Sequence, residues 1–128
     1  MARRTRRASA KKQVLVTRDA PKSVAAEAYR SLRTSLKYSA PSGSLRSILI
    51  TSAGPGEGKS TTLANLAVAF AQGGERVLIV DADLRRPTLH QIFGLPNRRG
   101  VTNCLLGNDD WFDVVKAAPG VDNLRVIT

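Results

Sequence analysis

The stretch "SAGPGEGKSTT" at residues 52–62 decides the fold of this chain. It holds three glycines, a proline, a lysine and four hydroxyl residues, and it joins the apolar run "SILIT" (47–51) to the helix-forming segment "LANLAVAFAQ" (63–72). Small side chains let the backbone N–H groups of residues 56–61 approach an anion, and a helix that begins here directs its positive end at the same point. The order of strand, loop and helix therefore predicts a phosphate-binding loop.

The spacing of this loop assigns a role to each residue. Residues 53–60, "AGPGEGKS", fit the pattern x-x-x-x-x-G-K-[ST], in which Lys59 reaches the β- and γ-phosphates and the hydroxyl of Ser60 ligates Mg²⁺. Thr61 would bind the α-phosphate. A glycine-rich turn that only caps a helix is the alternative, and the flanking strand and helix favour the nucleotide site. The predicted nucleotide-binding residues are Gly54, Pro55, Gly56, Glu57, Gly58, Lys59, Ser60 and Thr61.

A second candidate site lies in "VLIVDADLRRP", residues 77–87. Asp81 and Asp83 follow a second buried strand, at the end where parallel α/β sheets place their ligands. Two carboxylates beside a triphosphate repel it unless a metal lies between them, and Mg²⁺ with its waters fits. One aspartate could instead accept a proton from an attacking hydroxyl. The alternative is a solvated strand end, or one aspartate that caps the next helix. Arg85 and Arg86 could bind phosphate or a partner's carboxylates, or could be surface charge.

The apolar patterns predict an α/β fold. Strands are expected at 45–52, 76–83 and 123–128, and the first of these is a continuous apolar run typical of a strand buried on both faces of a parallel sheet. A helix is expected from Lys59 to Gln72, ended by two glycines. Shorter helices are expected, one that starts at Pro87 and one in each of the segments "GVTNCLLG" and "DWFDVVKAA". The mostly parallel sheet would be flanked by helices.

The N-terminal part divides into three segments. Residues 1–12 supply six of the ten net positive charges and no acid, which predicts a disordered tail that could bind anionic lipid, nucleic acid or an acidic partner, or only aid solubility. Residues 13–44 form the second segment: an extended stretch to a turn at Pro21, a helix over 24–39 with Ser23 as N-cap, and a linker. On that helix Val24, Ala28, Leu32 and Leu36 recur at helical spacing, with Glu27, Arg30 and Arg33 on the other side. Residues 45–128 are the nucleotide-binding part.

The sequence also indicates a compartment. Its one cysteine, Cys104, cannot form an internal disulfide, which fits a reducing cytoplasm, and no apolar run reaches the length of a membrane span.

The loop and the aspartate motif together resemble the bacterial tyrosine kinases, the autokinases that regulate capsule and exopolysaccharide synthesis and export. The resemblance spans about residues 20–128: "PGEGKST" is similar to the family's Walker A motif, "VLIVDADLRRP" to its Walker A′ motif, and "GVTNCLLG" to the segment that follows. It implies a P-loop NTPase fold and transfer of the γ-phosphate of ATP to tyrosine. Lys59, Asp81 and Asp83 would be catalytic, with Asp81 the foremost base or metal-shell residue, and Ser60, Asp81 and Asp83 would hold Mg²⁺.

The resemblance also implies partners. "EAYRSLR" fits the family's E-x-x-R-x-x-R motif, which assigns Glu27, Arg30 and Arg33 to contacts between subunits of a ring; a solvated helix face is the alternative. The family works with a transmembrane activator that regulates chain length in polysaccharide export. We therefore expect a cytoplasmic chain held at the inner face of the membrane through a partner, and no specific nucleic acid.

Two motifs of the family have no match. They are the apolar strand ending in aspartate (Walker B) and the tyrosine-rich tail; the two tyrosines, Tyr29 and Tyr38, precede the loop. The Walker B strand would lie between the two motif strands, so its absence predicts a gap in the sheet and unpaired edges. We therefore expect the N-terminal part of a kinase domain, roughly half, truncated before that strand and by itself inactive and poorly folded.

Two other functions stay open. Partitioning or division-site ATPases share the core, but they carry a signature lysine where Gly54 stands and have no reason to carry "EAYRSLR". A non-catalytic nucleotide-binding regulator would bind ATP and an activator and transfer nothing. A tyrosine cluster encoded downstream would favour the kinase, and an early stop codon would favour the regulator.

Overall fold

The computed structural model describes residues 15–41, 44–54 and 58–128. Within these ranges six helices accompany a three-stranded sheet of order β1-β3-β2, with β1 parallel and β2 antiparallel to β3. This arrangement confirms the α/β class. The elements are α1 (Val16–Asp19), α2 (Val24–Ser39), α3 (Lys59–Gln72), β1 (Val77–Val80), α4 (Leu89–Phe93), α5 (Val101–Leu105), α6 (Trp111–Val114), β2 (Lys116–Ala117) and β3 (Leu124–Ile127).

Helix α3 is the centre of the fold. It begins after Gly58, whose φ of 76° favours glycine, and it ends at Gly73, whose N–H donates to the carbonyls of Ala69 and Phe70. Its small apolar side chains let the sheet, α1 and α4 approach closely. The predicted helix over 59–72 is confirmed residue by residue. The core formed around it consists of Leu15, Ala64, Ala67, Val68, Ala71, Ile79, Leu89, Ile92, Phe93, Ala118, Leu124 and Val126.

The parallel pair β1–β3 sets the position of the second motif. The register pairs Val77 with Leu124 and Val80 with Ile127, and Asp81 continues the ladder by donating its N–H to the carbonyl of Ile127 at 2.9 Å. The strands predicted at 76–83 and 123–128 are therefore confirmed, although both are shorter. Asp81 lies where the carboxyl ends of two parallel strands meet, as the sequence indicates.

Two of the predicted short helices differ in extent. Helix α4 begins at Leu89 rather than at Pro87, because Thr88 occupies the N-cap position. In "DWFDVVKAA" the helix ends at Val114, and the two-residue strand β2, which the sequence did not predict, pairs with β3.

The prediction of a strand over 45–52 is wrong. Residues 44–52 have no regular secondary structure, and Leu49 is 86% exposed. A groove of about 1150 Å³ separates residues 44–51 from β1 and residues 81–85. Within the described part of the chain β1 pairs only with β3, so its other edge faces this groove, at the place where the sequence analysis expected a gap. An extended segment becomes a strand only beside a hydrogen-bonding neighbour.

The expected extended stretch before Pro21 is also wrong at residues 16–19, which form the single turn α1. Buried polar contacts with α3 explain this turn. The N–H and Oγ1 of Thr17 both donate to Oδ1 of Asn65, at 3.2 and 2.9 Å, and Nε2 of Gln72 donates to the carbonyl of Thr17 at 2.8 Å. Leu15 and Thr17 are buried, and the helical turn points both toward α3.

Helix α2 has the predicted bounds and the predicted cap, since Oγ of Ser23 accepts the N–H of Ala26 at 3.1 Å. The apolar face expected from spacing is not the face that packs: Val24 is 89% and Leu32 40% exposed. The packed face carries Ala26 and Arg33 instead. Among the residues described, no helix has the length and apolar character that crossing a bilayer requires.

Candidate functional site

The start of α3 has the features of an anion-binding helix end. Gly58 is the N-cap with a left-handed backbone, no side chain caps the first turn in the part of the chain described, and that turn contains no acidic residue. Three predicted loop residues, Pro55, Gly56 and Glu57, lie outside the described residues. The N-terminus of this 14-residue helix, with its open first turn, attracts negative charge through its N–H groups and the helix dipole.

The structure brings the two predicted motifs together. Lys59 and Ser60 line the large groove with Asp81 and Asp83, and Nζ of Lys59 lies 3.8 Å from Oδ2 of Asp83. The lysine comes from the first residue of α3 and the aspartate from the loop after β1, because that loop and the helix end meet at the same edge of the sheet. An ammonium and a carboxylate therefore face each other beside the start of α3.

Asp83 is held as a carboxylate. Its Oδ1 accepts the backbone N–H groups of Arg86 at 3.0 Å and Arg85 at 3.2 Å. The hydrogen bond from Arg86 is the main cause that places the pKa of Asp83 below its ordinary value, and the N–H of Arg85 and the positive charges of Lys59 and Arg85 act in the same direction. Its Oδ2 remains directed at Lys59.

Asp81 has a different environment, although it is only two residues away. Asp81 is buried, with 6% of its surface exposed. Oδ1 accepts the N–H of Asp83 at 3.1 Å, and Oδ2 accepts those of Thr88 and Leu89, both at 3.2 Å. Asp81 therefore closes the turn that carries Asp83 and caps the start of α4. A cap of the next helix is one of the alternatives to a metal or catalytic role that the sequence leaves open for these aspartates.

A second, smaller pocket adjoins these carboxylates, and no motif in the sequence predicts it. It has a volume of about 220 Å³. Asp81, Asp83 and Leu84 line both this pocket and the large groove, so they form the wall between the two. The far wall comes from the loop after α4. The only sequence signal for that loop was the similarity of "GVTNCLLG" to a family segment. The remaining lining residues are Pro87, Asn97, Arg98, Gly100, Thr102, Asn103 and Thr128.

The three predicted interface residues lie on α2, away from the start of α3. Nη2 of Arg30 pairs with Oε2 of Glu27 at 2.8 Å on the surface. Arg33 instead turns inward, where its Nη1 donates to the carbonyl of Ala69 at 2.6 Å near the C-terminal end of α3. Lys59 and the contact of Arg33 with Ala69 thus lie at opposite ends of α3.

The residues present fit a nucleotide with Mg²⁺. At the open start of α3 the groove is lined by Lys59, Ser60, Asp81 and Asp83, which supply the ammonium, hydroxyl and carboxylate groups needed for phosphates and a hard cation. No cluster of three or more His, Cys, Asp or Glu side chains exists in the described ranges. Mg²⁺ usually keeps several waters and takes one or two carboxylates plus phosphate oxygens, so it needs no such cluster.

Comparison with known proteins identifies the family of the chain. Residues 48–121 match the model of the CobQ/CobB/MinD/ParA nucleotide binding domain. The chain belongs to this family. Among curated members similar to it, tyrosine-protein kinase YwqD of Bacillus subtilis is 46% identical over 118 residues, covering 92% of this chain and 50% of YwqD. The putative tyrosine-protein kinase CapB of Staphylococcus aureus is 40% identical, covering 89% of this chain and 50% of CapB.

Two solved structures that are similar to this chain show the same fold. The chimerical protein CapA2B2 has a TM-score of 0.83 at 43% identity, covering 89% of this chain and 50% of that one. The kinase domain of the Escherichia coli tyrosine kinase ETK has a TM-score of 0.83 at 35% identity, covering 90% and 45%. These likenesses confirm the P-loop NTPase fold. The chain spans about half the length of the curated relatives named above.

Proposed function

We propose that this chain is the ATP-binding part of a cytoplasmic protein-tyrosine autokinase that regulates capsular or exopolysaccharide synthesis and export. The observation that carries the proposal is the convergence of Lys59, Ser60 and Asp83 at the open start of α3. The relatives named above, which are tyrosine-protein kinases, supply the reaction class. A phosphate site with carboxylates beside it fits transfer of a phosphoryl group.

The roles follow from position. The N–H groups at the start of α3 and the Lys59 ammonium bind the β- and γ-phosphates of ATP, and the Ser60 hydroxyl with the carboxylates of Asp81 and Asp83 holds Mg²⁺ directly or through water. Bound Mg²⁺ neutralises charge on the phosphates. In the transfer, a tyrosine oxygen bonds to the γ-phosphorus, the bond from that phosphorus to the bridging oxygen breaks, and ADP leaves with the electron pair. The phenolic proton passes to the Asp81–Asp83 carboxylate pair.

The proposal includes partners. A ring of identical subunits would use Glu27, Arg30 and Arg33, and a transmembrane activator would bring the chain to the inner face of the membrane. The exposed Glu27–Arg30 pair supports a contact surface on α2, since Glu27 retains 67% of its side-chain exposure. The inward position of Arg33 supports a further task for that residue, which is to fix α2 on α3.

The chief alternative is a partitioning or division-site ATPase, because the family description names MinD and ParA. Two observations favour the kinase. Gly54 stands where those ATPases carry their signature lysine. The relatives with 40–46% identity are named tyrosine kinases. A non-catalytic regulator would have the same phosphate site but would not transfer the γ-phosphate to tyrosine.

Lys59→Met in the protein that carries this chain is the direct test. We expect the Kd for Mg·ATP to rise at least tenfold and phosphotyrosine on the protein to disappear, because the variant removes the one cation that faces the phosphate site from α3. Lys22→Met, at an exposed lysine before α2, is the matched control and leaves both unchanged. Unchanged ATP affinity and phosphotyrosine in Lys59→Met would contradict the site. ATP hydrolysis without phosphotyrosine in the wild-type protein would indicate the partitioning or division-site ATPase. ATP binding without hydrolysis or phosphotyrosine would indicate the non-catalytic regulator.

A further inference from the structure

A cluster of exposed apolar side chains lies on α5 and α6, and we call it the α5–α6 patch. Leu105 and Leu106, at the end of α5, are each 70% exposed, and Trp111 and Phe112, at the start of α6, are 44% and 65% exposed. The rings of Trp111 and Phe112 stack with their centroids 3.7 Å apart, and α5 contacts α6. Four large apolar side chains grouped on the surface are typical of a contact site with another molecule.

The position of the patch in the fold separates it from the free edge of β1. The sheet has the order β1-β3-β2, and α6 leads into β2 after a single residue, Val115. The groove beside β1, where the sequence predicts a missing strand, therefore lies at the opposite edge of the sheet. A strand added to β1 leaves the α5–α6 patch exposed.

The charges beside the patch are acidic, although the chain has a net charge of +10. The segment from the start of α5 to the end of α6 contains three aspartates and neither Lys nor Arg. Of the two cations that flank this segment, Arg99 pairs with Asp109, and Nζ of Lys116 donates to the carbonyl of Arg99 at 2.9 Å. Asp110 and Asp113 are exposed, and among the described residues neither forms an ion pair. A molecule bound here meets apolar side chains with two carboxylates beside them.

This combination of apolar surface and negative charge selects the occupant. An anionic lipid surface is disfavoured, because its head groups repel the two aspartates. Residues 1–12 of the chain have the matching charge, but Met1 is their only large apolar residue, too little to cover four such side chains. The exposed face of α2 in a second copy carries the neutral pair Glu27–Arg30 and offers the aspartates no net positive charge.

We propose that the α5–α6 patch docks a Lys/Arg-rich peptide segment of another protein. Bulky apolar residues of this segment pack on Trp111, Phe112 and the two leucines, and its cations meet Asp110 and Asp113. Guanidinium groups also stack on aromatic faces, which the Trp111–Phe112 pair presents. An aromatic centre with a charged rim is the usual composition of a protein–protein contact. The inference goes beyond the proposed function and does not depend on it, because docking requires neither ATP nor phosphate transfer.

Fluorescence anisotropy tests the docking in the protein that carries this chain. The probe is a labelled peptide of lysines and leucines, and two comparison peptides replace every lysine by glutamate or every leucine by serine. We expect the lysine–leucine peptide to bind at least tenfold more tightly than either, because each comparison peptide lacks one of the two complementary features. Phe112→Ala should weaken its binding at least tenfold, as is usual for a central aromatic residue of an interface. Tyr38→Ala, at an aromatic side chain that is 86% exposed on α2, is the matched control and leaves binding unchanged.

Charge variants and the fluorescence of Trp111 give two independent measurements. The double variant Asp110→Asn, Asp113→Asn keeps the oxygen that accepts the N–H of Asp110, and it should weaken binding about fivefold and reduce the dependence of affinity on NaCl. Asp122→Asn, at an exposed aspartate after β2, is the control and leaves both unchanged. The peptide should also shift the emission of Trp111, the single tryptophan of the sequence, and this shift should be absent in Trp111→Phe.

Several results would overturn the docking surface. Equal affinities for the lysine and glutamate peptides, or equal effects of Phe112→Ala and Tyr38→Ala, contradict it directly. A lower oligomer mass in Phe112→Ala assigns the patch to a second copy, and a lower urea midpoint in that variant assigns it to contact with the rest of the same protein. Binding to phosphatidylserine vesicles that depends on Phe112 assigns it to lipid, and at least tenfold tighter peptide binding after deletion of residues 1–12 assigns it to that segment. Unchanged ATP affinity in Lys59→Met contradicts the proposed function and leaves this surface standing.

Discussion

Replacing Asp81 by Asn should destabilise the protein much more than replacing Asp83 by Asn. The reason lies in how each carboxylate uses its oxygens. Asp81 accepts with both of them, Oδ1 from the N–H of Asp83 and Oδ2 from those of Thr88 and Leu89. Asp83 accepts backbone N–H groups with Oδ1 alone. An asparagine has one carbonyl oxygen, so it can replace Asp83 in this respect and cannot replace Asp81.

The size of the effect follows from the donors left unpaired. In Asp81→Asn the best rotamer keeps the oxygen on Thr88 and Leu89, and its NH₂ group then faces the N–H of Asp83. One buried donor loses its acceptor and meets another donor, which costs about 2 kcal/mol. Asp81→Ala removes the acceptor for all three donors and the cap of α4, which costs about 4 kcal/mol.

Urea unfolding followed by circular dichroism measures this difference directly in the protein that carries this chain, with and without Mg·ATP. We expect the order of stability wild type, Asp83→Asn, Asp81→Asn, Asp81→Ala, with the two Asp81 variants well separated from the first two. A loss below about 0.5 kcal/mol for Asp81→Asn, within the usual range for surface substitutions, would refute the reasoning. So would a loss for Asp83→Asn that equals that of Asp81→Asn.

Two further predictions follow from other contacts. Replacing both Arg30 and Arg33 by Ala should lower the oligomer mass measured by light scattering, and an unchanged mass would remove the interface assignment. Replacing Arg33 alone should also lower the free energy of unfolding, because it removes the hydrogen bond to the carbonyl of Ala69. The pKa of Asp83 is lowered in the folded state, chiefly by the N–H of Arg86. The Asp83 carboxylate therefore stabilises the fold fully at pH values above its unfolded pKa near 4, and this contribution is lost as the pH falls through the folded pKa. Urea unfolding at pH 5 and pH 2.5 should therefore show a smaller acid loss in Asp83→Asn than in the wild type, and equal losses would contradict the assignment.

Local signals explain why α3 was predictable to the residue. Gly58 adopts the left-handed backbone that only glycine takes readily, and Gly73 ends the helix with N–H bonds into the last turn. The cap of α2 by Ser23 is local in the same way. Where the neighbours that fix a backbone conformation lie within a few residues along the chain, sequence alone identifies the element.

The segment over 45–52 was not predictable in this way. Its apolar run is a necessary property of a buried strand, but pairing depends on residues far away along the chain. In the part of the chain described, β1 is bonded on one side to β3, and a groove of about 1150 Å³ lies on its other side. The turn α1 was missed for a related reason, since Asn65, 48 positions from Thr17, sets its conformation.

The aspartate pair shows what spacing can and cannot determine about a site. Two carboxylates two residues apart after a strand predict a shared location, and the structure has that location. Spacing does not tell which of the two caps the next helix, whereas the backbone of the turn gives Asp81 three donors and leaves Oδ2 of Asp83 facing Lys59. Because Asp81 itself binds the N–H of Asp83, loss of activity in an Asp81 variant follows equally from lost chemistry and from a displaced Asp83. Only a variant that keeps its stability and loses phosphoryl transfer would assign the chemistry to the substituted carboxylate.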